Sequence, residues 1–66
     1  MDYWRISVTC TDGSVTHIFK MGDSPLDAVS RLFVNPTKEQ RRALDFVRPN
    51  GVGMVVSRVD QPGDDR

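Results

Sequence analysis

Apolar and polar residues alternate from Tyr3 to Met21, with one break at Asp12-Gly13. Such period-two alternation marks a strand that buries one face. Asp-Gly between two alternating runs predicts a β-hairpin with a two-residue type I′ turn, which needs φ > 0 at both central residues. That turn pairs Thr11 with Ser14, Cys10 with Val15, Val8 with His17, Ile6 with Phe19 and Trp4 with Met21. The expected core face is Trp4, Ile6, Val8, Cys10, Val15, His17, Phe19 and Met21. Tyr3, Arg5, Ser7, Thr9, Thr16, Ile18 and Lys20 form the expected solvated face. A slip of one residue would destroy this segregation, which supports the register.

Beyond the hairpin the period changes. Gly22-Asp23 closes the second strand, Ser24 is an N-cap, Pro25 takes the first helical position and Asp27 the third. Asp27 is placed to complete a short-armed capping box and to favour the positive helix end. Leu26, Val29, Leu32 and Phe33 mark the expected apolar face. Asn35-Pro36 ends this helix, because a residue before proline is pushed out of the α region. Thr37 opens a second helix with Gln40 in capping-box position, and Ala43, Leu44 and Val47 are its apolar stripe. Lys38, Arg41, Arg42 and Asp45 face outward, with Phe46 off the centre of the stripe.

Arg48-Pro49-Asn50-Gly51 reads as a stop and a turn. Residues 52–59 read as a third strand, apolar on both faces: Val52, Met54 and Val56 alternate with Val55, Ser57 and Val59. Its buried face is left open by the pattern, and apolarity on both sides argues against an open edge. The expected fold class is α+β: a single small ββααβ domain over residues 1–60, with a mobile C-terminal tail at 61–66. Its three-stranded, mostly antiparallel sheet has order 2-1-3, because a helical return sets the third strand beside the first without crossing the hairpin. The first helix covers the Trp4 face and the second closes one end.

Composition narrows the function. A chain of 66 residues makes one domain and buries roughly 60% of its unfolded surface, so its core is thin. A single cysteine, Cys10, argues against a secreted disulfide scaffold. No apolar run approaches the roughly 20 residues that span a bilayer, and the N-terminus lacks the regions of a signal peptide. A cytoplasmic setting is expected. Net charge is zero, and eight of the nine acids are aspartate, a residue of caps and turns. Lys38, Arg41, Arg42 and Arg48 gather on the second helix. A surface of mixed sign suits a protein partner, whereas a nucleic-acid binder carries a basic excess.

Candidate chemistry is sparse. Cys10 and His17 project from the same expected face, but diagonally and with no second His or Cys in the chain. Zinc wants four ligands, or three and a water, so no metal is expected. The diagonal placement also denies Cys10 an activating base. Ser24 is a cap, Asp23 and Asp27 belong to a helix N-terminus, and Gly51-Val52-Gly53 precedes a strand where a phosphate loop precedes a helix. A chain this small leaves little room for a ligand-sized pocket. Neither catalysis nor a cofactor is expected. Ile18, flanked by Tyr3, Arg5 and Lys20, is either an ordinary single exposed apolar residue or the centre of a small contact patch.

Tyr3-Trp4, His17-Ile18-Phe19, Ser24-Pro25-Leu26-Asp27-Ala28 and Val56-Ser57-Arg58-Val59 follow one another in an order that resembles small phage-encoded inhibitor proteins. The podophage inhibitor of bacterial RNA polymerase is the nearest in element order. Residues 34–50 have no counterpart there. Arg58 matches a polymerase-contacting arginine of that family, and Asp60 stands where a second would be. In size and aspartate content the chain also resembles anti-CRISPR proteins, some of which present carboxylates in place of DNA phosphates. The resemblance makes Asp12, Asp23, Asp27, Asp60, Asp64 and Asp65 the mimicking candidates.

The function implied is stoichiometric inhibition of a host multisubunit complex, foremost a Cas surveillance complex that is kept from its target DNA. RNA polymerase is the alternative target. A small nucleic-acid-binding regulator using Lys38, Arg41 and Arg42 is a third reading. The expected partner-binding residues are Tyr3, Arg5, Asp12, Ile18, Lys20, Asp23, Asp27, Arg58 and Asp60. A monomer acting away from membranes, without direct nucleic-acid contact, is expected.

Overall fold

The computed structural model of the chain describes residues 1–60. Five elements follow one another: β1 (Asp2–Cys10), β2 (Val15–Gly22), α1 (Pro25–Val34), α2 (Lys38–Asn50) and β3 (Gly51–Val59). The strands form one antiparallel sheet in the order β2-β1-β3. Class, element order and sheet order are those the sequence predicts. The tail expected at 61–66 lies outside the described residues.

The hairpin register differs from expectation by one residue. Gly13 N–H donates to the Cys10 carbonyl at 2.9 Å, and Cys10 N–H to the Ser14 carbonyl at 2.8 Å. Gly13 has φ 88°, while Asp12 stays at negative φ. This is a three-residue loop with glycine in the left-handed position, the next most common hairpin closure after two-residue turns. Asp12 stabilises it locally: its Oδ1 accepts from Ser14 N–H at 2.9 Å and from Ser14 Oγ–H at 2.6 Å. The pairs are therefore Ile6–Ile18, Arg5–Phe19, Ser7–His17 and Tyr3–Met21. Ile18 turns into the core, 3% exposed, and Val15, His17, Phe19 and Met21 move to the other face.

Trp4, Ile6, Val8 and Cys10 are buried as expected, beneath Ala28 and Leu32 of α1 and Leu44 and Val47 of α2. Both helices lie on this side. Trp4 Nε1–H donates to the Gly22 carbonyl at 2.9 Å, which satisfies the indole inside the core. From β3 only Val56 packs against this cluster. β3 pairs with β1 alone, so it is an open edge in spite of its apolar pattern.

On α1 the buried line is Ala28 and Leu32, with Val29 partly covered, while Leu26 and Phe33 are exposed. The expected stripe thus misplaces two residues. Close packing at the helix start explains this: a Cβ on Gly22 would lie 2.7 Å from the Ala28 nitrogen. Glycine against alanine lets α1 approach β2 directly, and the line one turn on from Ala28 then faces the sheet. Ser24 Oγ accepts from Asp27 N–H at 3.1 Å, while Asp27 Oδ2 accepts from Asp23 N–H at 2.8 Å, one residue before the expected partner.

Thr37 and Gln40 form the complete capping box of α2. The helix runs through Pro49 to Asn50, one turn past the expected stop. Asn50 stabilises that last turn, its Nδ2–H donating to the Phe46 carbonyl at 2.9 Å, and its own carbonyl accepts from Thr11 N–H at 2.8 Å. The end of α2 is thereby tied to the hairpin loop.

Candidate functional site

With both helices on one side, the other face of the sheet is uncovered. β1 contributes Tyr3, Arg5, Ser7 and Thr9; β2 contributes Val15, His17, Phe19 and Met21; β3 contributes Val55, Ser57 and Val59. The rings of Tyr3 and Phe19 stack, with centroids 6.0 Å apart and planes inclined by 19°. Opposite one another, Ser7 Oγ and His17 Nδ1 are hydrogen-bonded at 2.8 Å. Arg5 lies on the central strand, between Phe19 and Ser57. Its Nε is buried and has no hydrogen-bond partner among the described residues. No aspartate or glutamate of the three strands projects from this face.

The face continues around the β2 edge into an open groove of about 680 Å³, lined by Tyr3, Phe19, Lys20, Met21, Arg31 and Val34 among others. This volume falls in the range of ligand-sized clefts, so the expectation of little room for a pocket is corrected. The α1–α2 junction forms its wall. Lys20 Nζ–H donates to the Asn35 carbonyl at 2.8 Å and to Gln40 Oε1 at 3.0 Å. Gln40 Nε2–H donates to the Phe19 carbonyl at 2.6 Å. A helical side chain thus satisfies part of the otherwise free edge of β2.

The expected partner-binding residues divide. Tyr3 and Arg5 stand together on the open face. Ile18 is core and forms no contact patch with them, and Lys20 is bonded on the helical side, meeting Tyr3 only along the groove around the β2 edge. The one-residue register change accounts for both. Asp12 sits in the hairpin loop, where the Ser14 hydroxyl and then the Ser14 N–H hold its carboxyl below the ordinary range. Asp23 and Asp27 lie at the start of α1. The Asp27 carboxyl is lowered first by the Asp23 N–H and then by Arg31, whose Nε is 2.9 Å away. Arg58 Nη1 lies 3.7 Å from Asp2 Oδ1, and Asp60 follows at the end of β3. The Asp12 carboxylate is therefore a whole strand length from those of Asp23 and Asp27. Cys10 is buried on the helical side and His17 projects from the other, so they form no pair.

Phe19, Met21, His17 and Val55 were not expected at the site. The signal for the β2 residues was present: pairing Ile6 with Ile18 puts two β-branched apolar residues in the core and matches Arg5 with Phe19. Among the described residues no three of His, Cys, Asp and Glu gather as a metal would need. No helix there is long and apolar enough to cross a membrane.

Fold and site define a small α+β domain that presents an aromatic and cationic sheet face. No protein-family profile, curated protein or solved structure matches the chain.

Proposed function

We propose that the chain is a non-catalytic, stoichiometric inhibitor that docks this open sheet face on a host protein complex. The observation that carries the reading is Arg5. Its Nε lies buried and unpartnered on the central strand of a face to which the strands contribute no carboxylate, beside the Tyr3–Phe19 stack. A buried donor without a partner costs about 1–3 kcal/mol, and a thin core offers little to offset it. A partner acceptor that draws the guanidinium outward, exposing Nε, would remove that cost on binding. Tyr and Arg are also the side chains that dominate protein interfaces. The partner patch is then acidic at its centre and apolar around it.

The target class comes from the resemblance to phage-encoded inhibitors: a Cas surveillance complex first, RNA polymerase second. Co-purification of tagged chain with each complex, followed by target-DNA binding or transcription at saturating inhibitor, tests the reading. Arg5→Met should abolish capture while leaving the thermal midpoint unchanged or raised. Capture that survives both Arg5→Met and Phe19→Ser would overturn the open face as the docking surface. Unchanged DNA binding and transcription, with no co-purification, would overturn the inhibitor reading itself.

A further inference from the structure

The groove at the β2 edge has a strand on one side and a helix on the other. Phe19, Lys20 and Met21 of β2 line it, and Asp27, Arg31 and Val34 of α1 face them from one side of that helix. Gln40 Nε2–H reaches the Phe19 carbonyl from outside the sheet, so Phe19 turns its main-chain groups away from β1. Outward groups recur at every second residue of an antiparallel strand. Met21 therefore turns its N–H and C=O outward at the groove, and no described residue bonds them. At the Phe19 end the edge is closed by the Gln40 carboxamide and by Lys20, which is held on the Asn35 carbonyl and Gln40 Oε1.

The charges of the groove are unequally engaged. They are Lys20 and Arg31 against the single carboxylate of Asp27. Asp27 Oδ2 already accepts from Asp23 N–H and from Arg31 Nε. Both partners of Lys20 are neutral, and the two Nη atoms of Arg31 have no partner among the described residues. An arginine fork left free in this way suits a carboxylate. Beside it stand two exposed apolar side chains, Met21 and Val34.

We propose that the groove binds an extended acidic segment of a partner protein, added as a strand at Met21. One residue of the segment exchanges both main-chain hydrogen bonds with Met21. Its side chain shares the face of Met21 and is apolar. The residues before and after it turn to the helix side, where an Asp or Glu carboxylate meets Arg31 and Lys20. A basic residue there would meet two cations, so the groove selects by charge. A compact small acid would satisfy the cations and leave the Met21 main chain unused, whereas strand addition satisfies both. Because Gln40 and Lys20 close the edge at Phe19, the added strand is short and the carboxylates carry much of the recognition. That the segment belongs to a docked partner rests on the function proposed above; binding of such a peptide does not.

NMR titration of the isotope-labelled chain with the peptide acetyl-Val-Glu-Phe-Glu-Val-amide tests the site. The Met21 amide proton should move downfield and saturate as its hydrogen bond forms. Replacing both peptide glutamates by glutamine, or Arg31→Met in the chain, should weaken binding about tenfold or more. Met21→Pro removes the outward N–H at an edge position that tolerates proline. It should weaken binding about tenfold while circular dichroism stays native. Arg5→Met should leave peptide affinity unchanged. No saturable shift at Met21, equal affinity for the glutamate and glutamine peptides, or binding that survives both Arg31→Met and Met21→Pro would each overturn the groove site and leave capture through Arg5 standing. Peptide binding as expected, without co-purification of either complex, would overturn the inhibitor reading and leave the groove site standing.

Discussion

The register of the hairpin can be tested by two neighbouring substitutions whose costs exchange rank between the two possible turns. In the structure Ile18 is 3% exposed and belongs to the cluster of Ile6, Val8, Leu32, Leu44 and Val47. Truncating such a residue to alanine costs about 2–5 kcal/mol through lost transfer energy and the cavity left behind. A thin core collapses partly, so about 3 kcal/mol is expected for Ile18→Ala. At 0.05–0.15 kcal/mol per residue, 66 residues hold about 3–10 kcal/mol in total. The variant thus loses about a third or more of its stability. With about 4–8 °C per kcal/mol in a domain of this size, its midpoint falls by roughly 12–24 °C. Phe19→Ala removes a half-buried ring, about 1 kcal/mol of burial, and the stack on Tyr3, about 0.5–1.5 kcal/mol beyond it. The sum, about 1.5–2.5 kcal/mol, stays below the Ile18→Ala loss and lowers the midpoint by about 6–20 °C. In the type I′ register the ranks reverse, with Phe19→Ala near 3–5 kcal/mol and Ile18→Ala within about 0.5 kcal/mol of wild type. Urea denaturation followed by circular dichroism measures both, with an unchanged m-value as the check that only stability moved. A larger loss for Phe19→Ala than for Ile18→Ala would refute the three-residue loop.

Gly22→Ala should cost about 1–3 kcal/mol by overpacking, because its Cβ would press on the Ala28 backbone; Gly53→Ala, with nothing within 4 Å, is the control. Gln40→Ala removes the capping box and the bonds to Phe19 and Lys20 together. At about 0.5–1.5 kcal/mol net per hydrogen bond, a loss of about 2–3 kcal/mol in urea denaturation is expected. The Asp27 carboxyl is held below its ordinary 3.8 by the Asp23 N–H and then Arg31. A depressed folded value means that its contribution is present above pH 3.8 and disappears as pH falls through the folded value. Thermal midpoints of Asp27→Asn should therefore fall less steeply than wild type over that acid range; parallel curves would deny the linkage.

Most of the scaffold was legible because local chemistry and global fold agree. Thr37 with Gln40, Ser24 with Pro25, and the Ala43–Leu44–Val47 stripe each predict what forms. Sheet order followed from a helical return that sets the third strand beside the first without crossing the hairpin. The open face was half legible: Tyr3 and Arg5 were placed on it, and Phe19 and Met21 were assigned to the core instead. One residue caused this. Asp12-Gly13 serves both hairpin loops; in a type I′ turn Asp12 goes to positive φ and Thr11 stays in the strand, whereas in the three-residue loop Thr11 and Asp12 are both turn residues at negative φ. The deciding interaction is the Asp12 carboxylate on the Ser14 N–H, a contact that strand alternation does not encode. Leu26 and Phe33 failed for a different reason. Helical periodicity gives the stripe but not its rotation, which here is fixed by the absence of a side chain at Gly22.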